Sequence, residues 1–217
     1  MKTKLLVAML LLCLPLSAYG FDWSIGARVG GGQTYIQSSE FEFIYDRNHL
    51  EAVQFVVWAD LFHGLGPYMA MLGENAKNRY RDEIWFEMSV VDVAIGPQYR
   101  LNLSPWLKPE IRVAFLSVGA NQDLYDDHFR YEDQADGFGF EVAHGWQILP
   151  LGHFDHKAPR NLGLQVEVVY LSRPVADELG KIDDLSGWGW RVHIGYAWDF
   201  GEDRPPIFGV SEKSDKP

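Results

Sequence analysis

The stretch Trp188–Phe200 reads WGWRVHIGYAWDF. Every second residue from Trp188 is large and apolar: Trp188, Trp190, Val192, Ile194, Tyr196, Trp198 and Phe200. Between them stand Gly189, Arg191, His193, Gly195, Ala197 and Asp199. Side chains alternate across a β-strand, so this period of two makes one strand with a greasy face and a polar face. The fold turns on which face meets the interior.

The same alternation recurs along the chain. Trp23, Ile25, Ala27 and Val29 oppose Ser24, Gly26, Arg28 and Gly30 in the segment 22–36. Val53, Phe55, Val57, Ala59 and Leu61 oppose Gln54, Val56, Trp58 and Asp60 in 51–63. In 91–101 an apolar list from Val91 to Leu101 opposes Asp92, Ala94, Gly96, Gln98 and Arg100. Segments 108–119, 138–148 and 161–170 repeat the pattern, with Glu110 and Arg112, Glu141, and Gln165 and Glu167 on their polar faces. With 188–200 that makes seven strands. An eighth, Pro67–Glu74, alternates poorly but keeps the direction of travel consistent. From Ile84 to Val90 the apolar residues are even-numbered and from Val91 they are odd. Such a phase change implies a β-bulge near Val90–Val91, or a strand that rises above a membrane before the flip. Pro97, lacking an N–H, is expected to mark a bulge or a strand end.

The connections alternate too. Long or polar segments at 37–50, 75–82, 120–136 and 171–187 are interleaved with mostly short turns at 63–67, 102–109 and 149–160. This describes an up-and-down antiparallel sheet closed on itself, with no repeat beyond the hairpin rhythm and no linker between domains.

Composition narrows the setting. The chain has 217 residues and opens MKTKLLVAMLLLCLPLSAYG: two lysines, an apolar core, then Pro15 and small residues. That is the pattern of a secretory signal peptide, with cleavage expected after Gly20. The sole cysteine, Cys13, lies in the leader, so disulfides are excluded from the mature chain. Loss of Lys2 and Lys4 takes the formal charge from −11 to −13, which argues against nucleic acid or attraction to anionic lipid.

A soluble ligand-binding barrel would turn the apolar list inward, and a membrane barrel would turn it outward. Three features favour lipid. The polar face is rich in glycine, which suits a crowded eight-stranded lumen. It carries both signs of charge, with Arg28, Arg100, Arg112 and Arg191 against Asp60, Asp92, Glu110, Glu141, Glu167 and Asp199. Buried charges persist when paired. Aromatics also gather into two girdles. Trp23, Tyr99, Trp146, Trp198 and Phe200 fall on the turn side; Tyr35, Trp85, Phe138, Tyr170, Trp188 and Trp190 fall on the loop side. The reading is an all-β, eight-stranded antiparallel up-and-down transmembrane β-barrel over 21–200, preceded by a signal peptide (1–20) and followed by a short polar periplasmic tail (201–217).

Leader, eight strands, glycine-and-charge lumen and a last strand ending GYAWDF resemble the small OmpA/OmpW-type outer-membrane barrels. The resemblance is architectural and carries no diagnostic motif. It implies the bacterial outer membrane as location. It also implies outer-membrane lipid, lipopolysaccharide and the barrel-assembly machinery as partners, no nucleic acid, and no named surface partner. The tail after Phe200, GEDRPPIFGVSEKSDKP, is too short for a peptidoglycan-binding domain.

Candidate chemistry is sparse. His193, Glu167 and Arg191 could form an acid/base group, but no nucleophilic Ser or Cys shares their faces, and an ionic plug is the simpler reading. His153, Asp155 and His156 are ligand types without a third fixed partner, so no metal is expected. The acidic segment with Asp123, Asp126, Asp127, Glu132, Asp133 and Asp136 lacks the spacing of a calcium loop. Barrel lipid A deacylases carry His-x-Ser-Asn, whereas His144 here precedes Gly145-Trp146; Ser38, Ser39 and His128 are the remaining candidates for hydrolysis. No catalytic residue and no cofactor are expected. The site residues are a lumenal ionic network of Arg28, Asp60, Arg100, Arg112, Glu141, Glu167 and Arg191, with Arg191 expected to pair with Glu167. The function expected is a non-enzymatic barrel with a structural or surface-interaction role and a plugged lumen. A narrow conduit for small or hydrophobic solutes is the alternative, and a lipid A-modifying enzyme comes third.

Overall fold

Each alternating segment becomes a strand, and each strand bonds to its neighbour in sequence until the last meets the first. The computed structural model describes residues 23–46, 48–61, 64–80, 84–101, 103, 104, 107–126, 128–148, 162–177 and 182–200. Residues 1–20 and 201–217, and likewise His153, Asp155 and His156, lie outside the described residues. The strands are β1 (Trp23–Ile36), β2 (His49–Asp60), β3 (Leu65–Tyr80), β4 (Ile84–Arg100), β5 (Leu107–Tyr125), β6 (Arg130–Ile148), β7 (Leu162–Ser172), β8 (Pro174–Asp177), β9 (Ile182–Asp184) and β10 (Gly187–Phe200). All pairings are antiparallel, and β1 closes on β10 from Trp23↔Phe200 to Ile36↔Gly187. β8 keeps the register of β7 against β6, and β9 pairs β8 in the register of β10 against β7. They are therefore the outer ends of one hairpin, and the barrel has eight strands.

The apolar list faces outward. Val53, Phe55, Met71, Val91, Ile95, Phe115, Phe138, Val168, Trp188 and Ile194 are all exposed, Phe115 by 83% and Phe138 by 81%. The partners in alternation are buried, among them Arg28, Gln54, Glu110, Glu141, Glu167 and Arg191. A closed barrel leaves no unpaired strand edge, and an apolar outer belt is stable only against acyl chains. The greasy face of Trp188–Phe200 therefore looks at lipid.

Several boundaries differ from the sequence reading. β3 is longer than Pro67–Glu74 and alternates cleanly by burial: Tyr68, Ala70, Leu72, Glu74 and Ala76 point in. Its alternation is hidden in sequence because inward Ala70 and Leu72 are as apolar as outward Met69 and Met71. The acidic segment 120–136 is no loop. β5 and β6 pair without a break from Leu107↔Ile148 to Tyr125↔Arg130, and the turn spans only 126–129. The Asp126 carboxylate accepts from the amides of His128 (2.7 Å) and Phe129 (2.6 Å) there, which closes the turn.

No bulge interrupts β4. Both of its ladders pass through Val90 and Val91 in one register, and even-numbered residues stay inward along the whole strand. The phase change arises because β4 climbs beyond the lipid belt. Above Val91 the outward side becomes polar, with Ser89 and Glu87, while the inward side becomes apolar, with Val90, Met88 and Phe86. Pro97 marks neither a bulge nor an end. The β4–β5 ladder omits Gly96 and Pro97 and resumes in the same register at Gln98↔Arg112.

The segment 37–50 contains a short helix, α1 (Ser39–Tyr45), where a polar loop was expected. The Ser38 hydroxyl caps it by accepting from the Phe41 amide (3.3 Å), and Asp46 ends it with φ of 50°. Phe41 and Tyr45, one turn apart, stack at 4.7 Å and are buried with Ile36, Leu50, Leu72 and Val90. Apolar packing thus fills the loop end of the lumen, above the charged residues.

Of the girdle aromatics, Tyr99, Trp146 and Trp198 are exposed near the turns, and Tyr35, Phe138, Trp188 and Trp190 near the loops. Trp85 is not in a girdle. It lies beyond the belt, stacked on Tyr125 (6.4 Å, 10°) with the Arg79 guanidinium 4.7 Å from its ring centre.

Candidate functional site

Side chains of alternate residues converge on the barrel axis, so acids and bases far apart in sequence become neighbours. Among the described residues five arginines and six carboxylates are buried: Arg28, Arg100, Arg112, Arg173 and Arg191 with Asp60, Glu74, Asp92, Glu110, Glu141 and Glu167. They form two groups along the axis.

The lower group is built on Glu110. Its carboxylate takes both terminal nitrogens of Arg28 (2.7 and 3.1 Å), and also contacts Arg100 (2.8 Å) and Arg112 (3.1 Å). Arg100 bridges on to Asp60 (3.0 Å), which also accepts from Ser24 and Gln98 (3.1 Å each). Arg112 reaches Glu167 at 2.8 Å and Glu141 at 3.4 Å. Tyr68 lies beneath Arg112 (5.2 Å) and donates its hydroxyl to Glu141 (2.9 Å). Bidentate and charge-assisted contacts of this kind are the strong class of hydrogen bond.

Trp58 supplies the floor. Its ring faces the guanidiniums of Arg28 (5.0 Å) and Arg100 (4.8 Å), and it can lie there because Gly26 has no side chain. A Cβ on Gly26 would stand 2.1 Å from Trp58 Cζ2. Gly26→Val is expected to push the indole off both arginines and cost about 1–3 kcal/mol, the usual penalty of overpacking. Equilibrium urea unfolding in lipid vesicles checks this; an unchanged midpoint would show that Trp58 has room to move.

The upper group centres on Glu74. It is bonded to Arg173, to Thr34 and to Arg191 (3.3 Å), while Arg173 also reaches Asp92 at 3.1 Å. Arg173 interrupts the strand between β7 and β8. Its Nε donates to the Leu185 carbonyl (3.0 Å) and its amide to the Ser186 hydroxyl (2.8 Å). His193 sits at the level between the groups, its Nε2 3.0 Å from Gln54 Oε1.

The structure brings Arg28, Asp60, Arg100, Arg112, Glu141 and Glu167 into one network and places Arg191 in the other. Arg191 does not pair with Glu167, although the two are opposite in the β10–β7 register. The lumen is narrow enough that partners across it compete with partners along the wall. Arg112 takes Glu167, and Arg191 turns to Glu74 and Thr34 (3.2 Å). Sequence reading placed Glu110 and Asp92 among the inward charges but left them out of the network, and it missed Arg173, Glu74 and Tyr68 altogether. Arg173 lay in a presumed loop and Glu74 at the end of the poorest strand.

The catalytic candidates do not assemble. His193 Nδ1 is 3.9 Å from Glu167, too far for a hydrogen bond, and its Nε2 contacts the Gln54 amide oxygen instead. Ser38 is spent as a helix cap, while His128 stands at the β5–β6 tip. Among the described residues no group of His, Cys, Asp or Glu could hold a metal ion. His144 faces outward beside Trp146 (5.5 Å).

No family model matches the chain, and comparison with curated proteins finds no match. Solved structures do match. Ail, the attachment invasion locus protein of Yersinia pestis, aligns over 82% of this chain and 99% of its own, at 10% identity and a TM-score of 0.52, in its complex with the heparin analogue sucrose octasulfate. Ail without that ligand aligns equally at 11% identity. Neisserial surface protein A covers 81% of this chain and 95% of its own at 13% identity, with a TM-score of 0.42. At such identity the match to Ail speaks for the fold alone. Together with the outward apolar belt, it makes this chain a small eight-stranded β-barrel of the bacterial outer membrane.

Proposed function

We propose that the protein is a non-enzymatic envelope barrel whose lumen is closed to solutes and whose contribution lies in structure and in the wall it presents beyond the membrane. One observation carries this reading: the buried arginines and carboxylates bridge one another across the lumen, and packed apolar residues lie above them. Eight strands enclose an interior that side chains can fill, and here long charged side chains extend into it from most strands.

A narrow conduit is the second reading. Arg191 Nε and Nη1, Arg173 Nη2 and Gln54 Nε2 are buried donors without a partner among the described residues, and buried donors of this kind commonly hold water. Continuous water along the axis would make the plug a filter. Proteoliposome swelling with small sugars, amino acids and alkanols separates the two. The closed barrel gives rates equal to protein-free vesicles, and swelling with any solute overturns it. A lipid A mass profile unchanged by expression is expected as well, and a changed acylation pattern would restore the enzyme.

A further inference from the structure

The strands β3 to β6 continue past the lipid belt as a four-stranded wall, in register throughout. Near its top one outward row reads Arg79, Trp85, Tyr125 and Arg130, aligned by the pairings Arg79↔Trp85, Trp85↔Tyr125 and Tyr125↔Arg130. Where this row meets the β5–β6 turn lies an open hollow of about 510 Å³. Tyr125 and Phe129 are its aromatic sides, and Glu87, Asp123 and Asp126 line it with carboxylates. His128 and Arg130 complete the rim. We propose that this hollow takes a guanidinium or ammonium side chain from a basic protein segment on the outer side of the membrane.

Chemistry argues for a cation. Tyr125 is held by its stack on Trp85 (6.4 Å, 10°), which sets a fixed ring face beside the acids. A cation between ring faces and carboxylates gains from both. The basic residues already present leave room for one. Arg130 bonds Glu132 at 2.8 Å and lies 3.6 Å from Asp123, and Lys77 reaches Glu87 at 2.7 Å from an exposed position. Exposed pairs of this kind are weak, so an incoming cation can displace them. Three carboxylates against one guanidinium leave the hollow acidic, and Glu132, Asp133 and Asp136 on β6 extend the same sign along the wall. Among the described residues these acids form no group able to hold a metal ion, which points to an organic cation.

Position argues for a protein. At about 3.3 Å per residue and a tilt of about 40°, the hollow stands roughly 10–25 Å beyond the outward belt residues Val91 and Phe115. Acyl chains lie below it. Phe129 and Tyr131 are nevertheless exposed there, and exposed aromatics away from lipid characterise protein-contact surfaces. A basic segment with apolar residues beside its cation covers these rings as well. The inference rests on the wall as the presented surface, and it does not require a closed lumen.

The test uses the full barrel in nonionic detergent micelles, titrated with a fluorescein-labelled peptide of arginine and tyrosine spaced by glycine. The same peptide with glutamate for arginine, and arginine amide alone, are titrated separately. Wild type is expected to bind the arginine peptide. The double variant Glu87→Gln, Asp123→Asn should bind it about tenfold more weakly while still migrating as a heat-modifiable barrel. Glu51→Gln with Asp136→Asn removes the same formal charge from exposed positions outside the hollow, and should leave the affinity within about twofold of wild type. Four results would each overturn the proposal: no binding by wild type, equal binding of the glutamate peptide, an equal loss in the charge-matched variant, or arginine amide binding as tightly as the peptide. Solute swelling reads the lumen separately, so failure here and failure of the closed lumen are told apart.

Discussion

Arg112→Ala is expected to lower the unfolding free energy of the barrel by about 3–5 kcal/mol, the cost of stranding buried partners. Its guanidinium contacts three carboxylates, Glu110, Glu141 and Glu167, and none of the four side chains is more than 1% exposed. Removing it leaves three acids around a gap, with Arg28 and Arg100 already engaged by Glu110 and Asp60. Lys77→Ala is the control: its ion pair with Glu87 is solvated, so the midpoint should hold. Urea unfolding in vesicles, followed by tryptophan emission, measures both. Equal midpoints for the two variants would mean that the lower group is solvated in the native barrel.

The second large effect is at Glu74. One carboxylate holds Arg173 and Arg191, so Glu74→Ala leaves Arg173 with Asp92 at 3.1 Å and Arg191 with the Thr34 hydroxyl at 3.2 Å. A loss of about 3–5 kcal/mol is expected here too. It carries a signature that the Arg112 change lacks. Arg173 also fastens the β7–β8 break to Leu185 and Ser186, so cleavage by added protease in the 171–187 hairpin should quicken. A variant equally destabilised but no more readily cleaved there would separate the ion pair from the strand break.

How much of this was legible depended on contrast between the two faces of a strand. Trp188–Phe200 alternates aromatic with glycine or charge, so its face and neighbours followed directly. Along β3, Met69, Ala70, Met71 and Leu72 give no such contrast, and Glu74 was lost with it. Beyond the membrane the rule inverts, since water lies outside and packing inside. Val90 and Met88 then read as a change of phase, although the strand never shifts register. The acidic composition of 120–136 suggested a loop, yet the β5–β6 ladder runs unbroken to Tyr125↔Arg130, with Arg130 reaching Asp123 across it at 3.6 Å. Part of the network's membership was readable from inward charges, while Arg173 and Glu74 were not. Its pairings were not, because Arg112 reaches across a lumen whose width no single strand encodes.

Steady conductance in planar bilayers tests the closed lumen most directly. With purified wild-type barrel inserted at known density, and insertion verified by heat-modifiable migration, the current is expected to stay at the bare-bilayer baseline, because guanidiniums and carboxylates occupy the axis at two levels beneath an apolar cap. Regular unitary steps that scale with salt concentration would contradict it and put the conduit first.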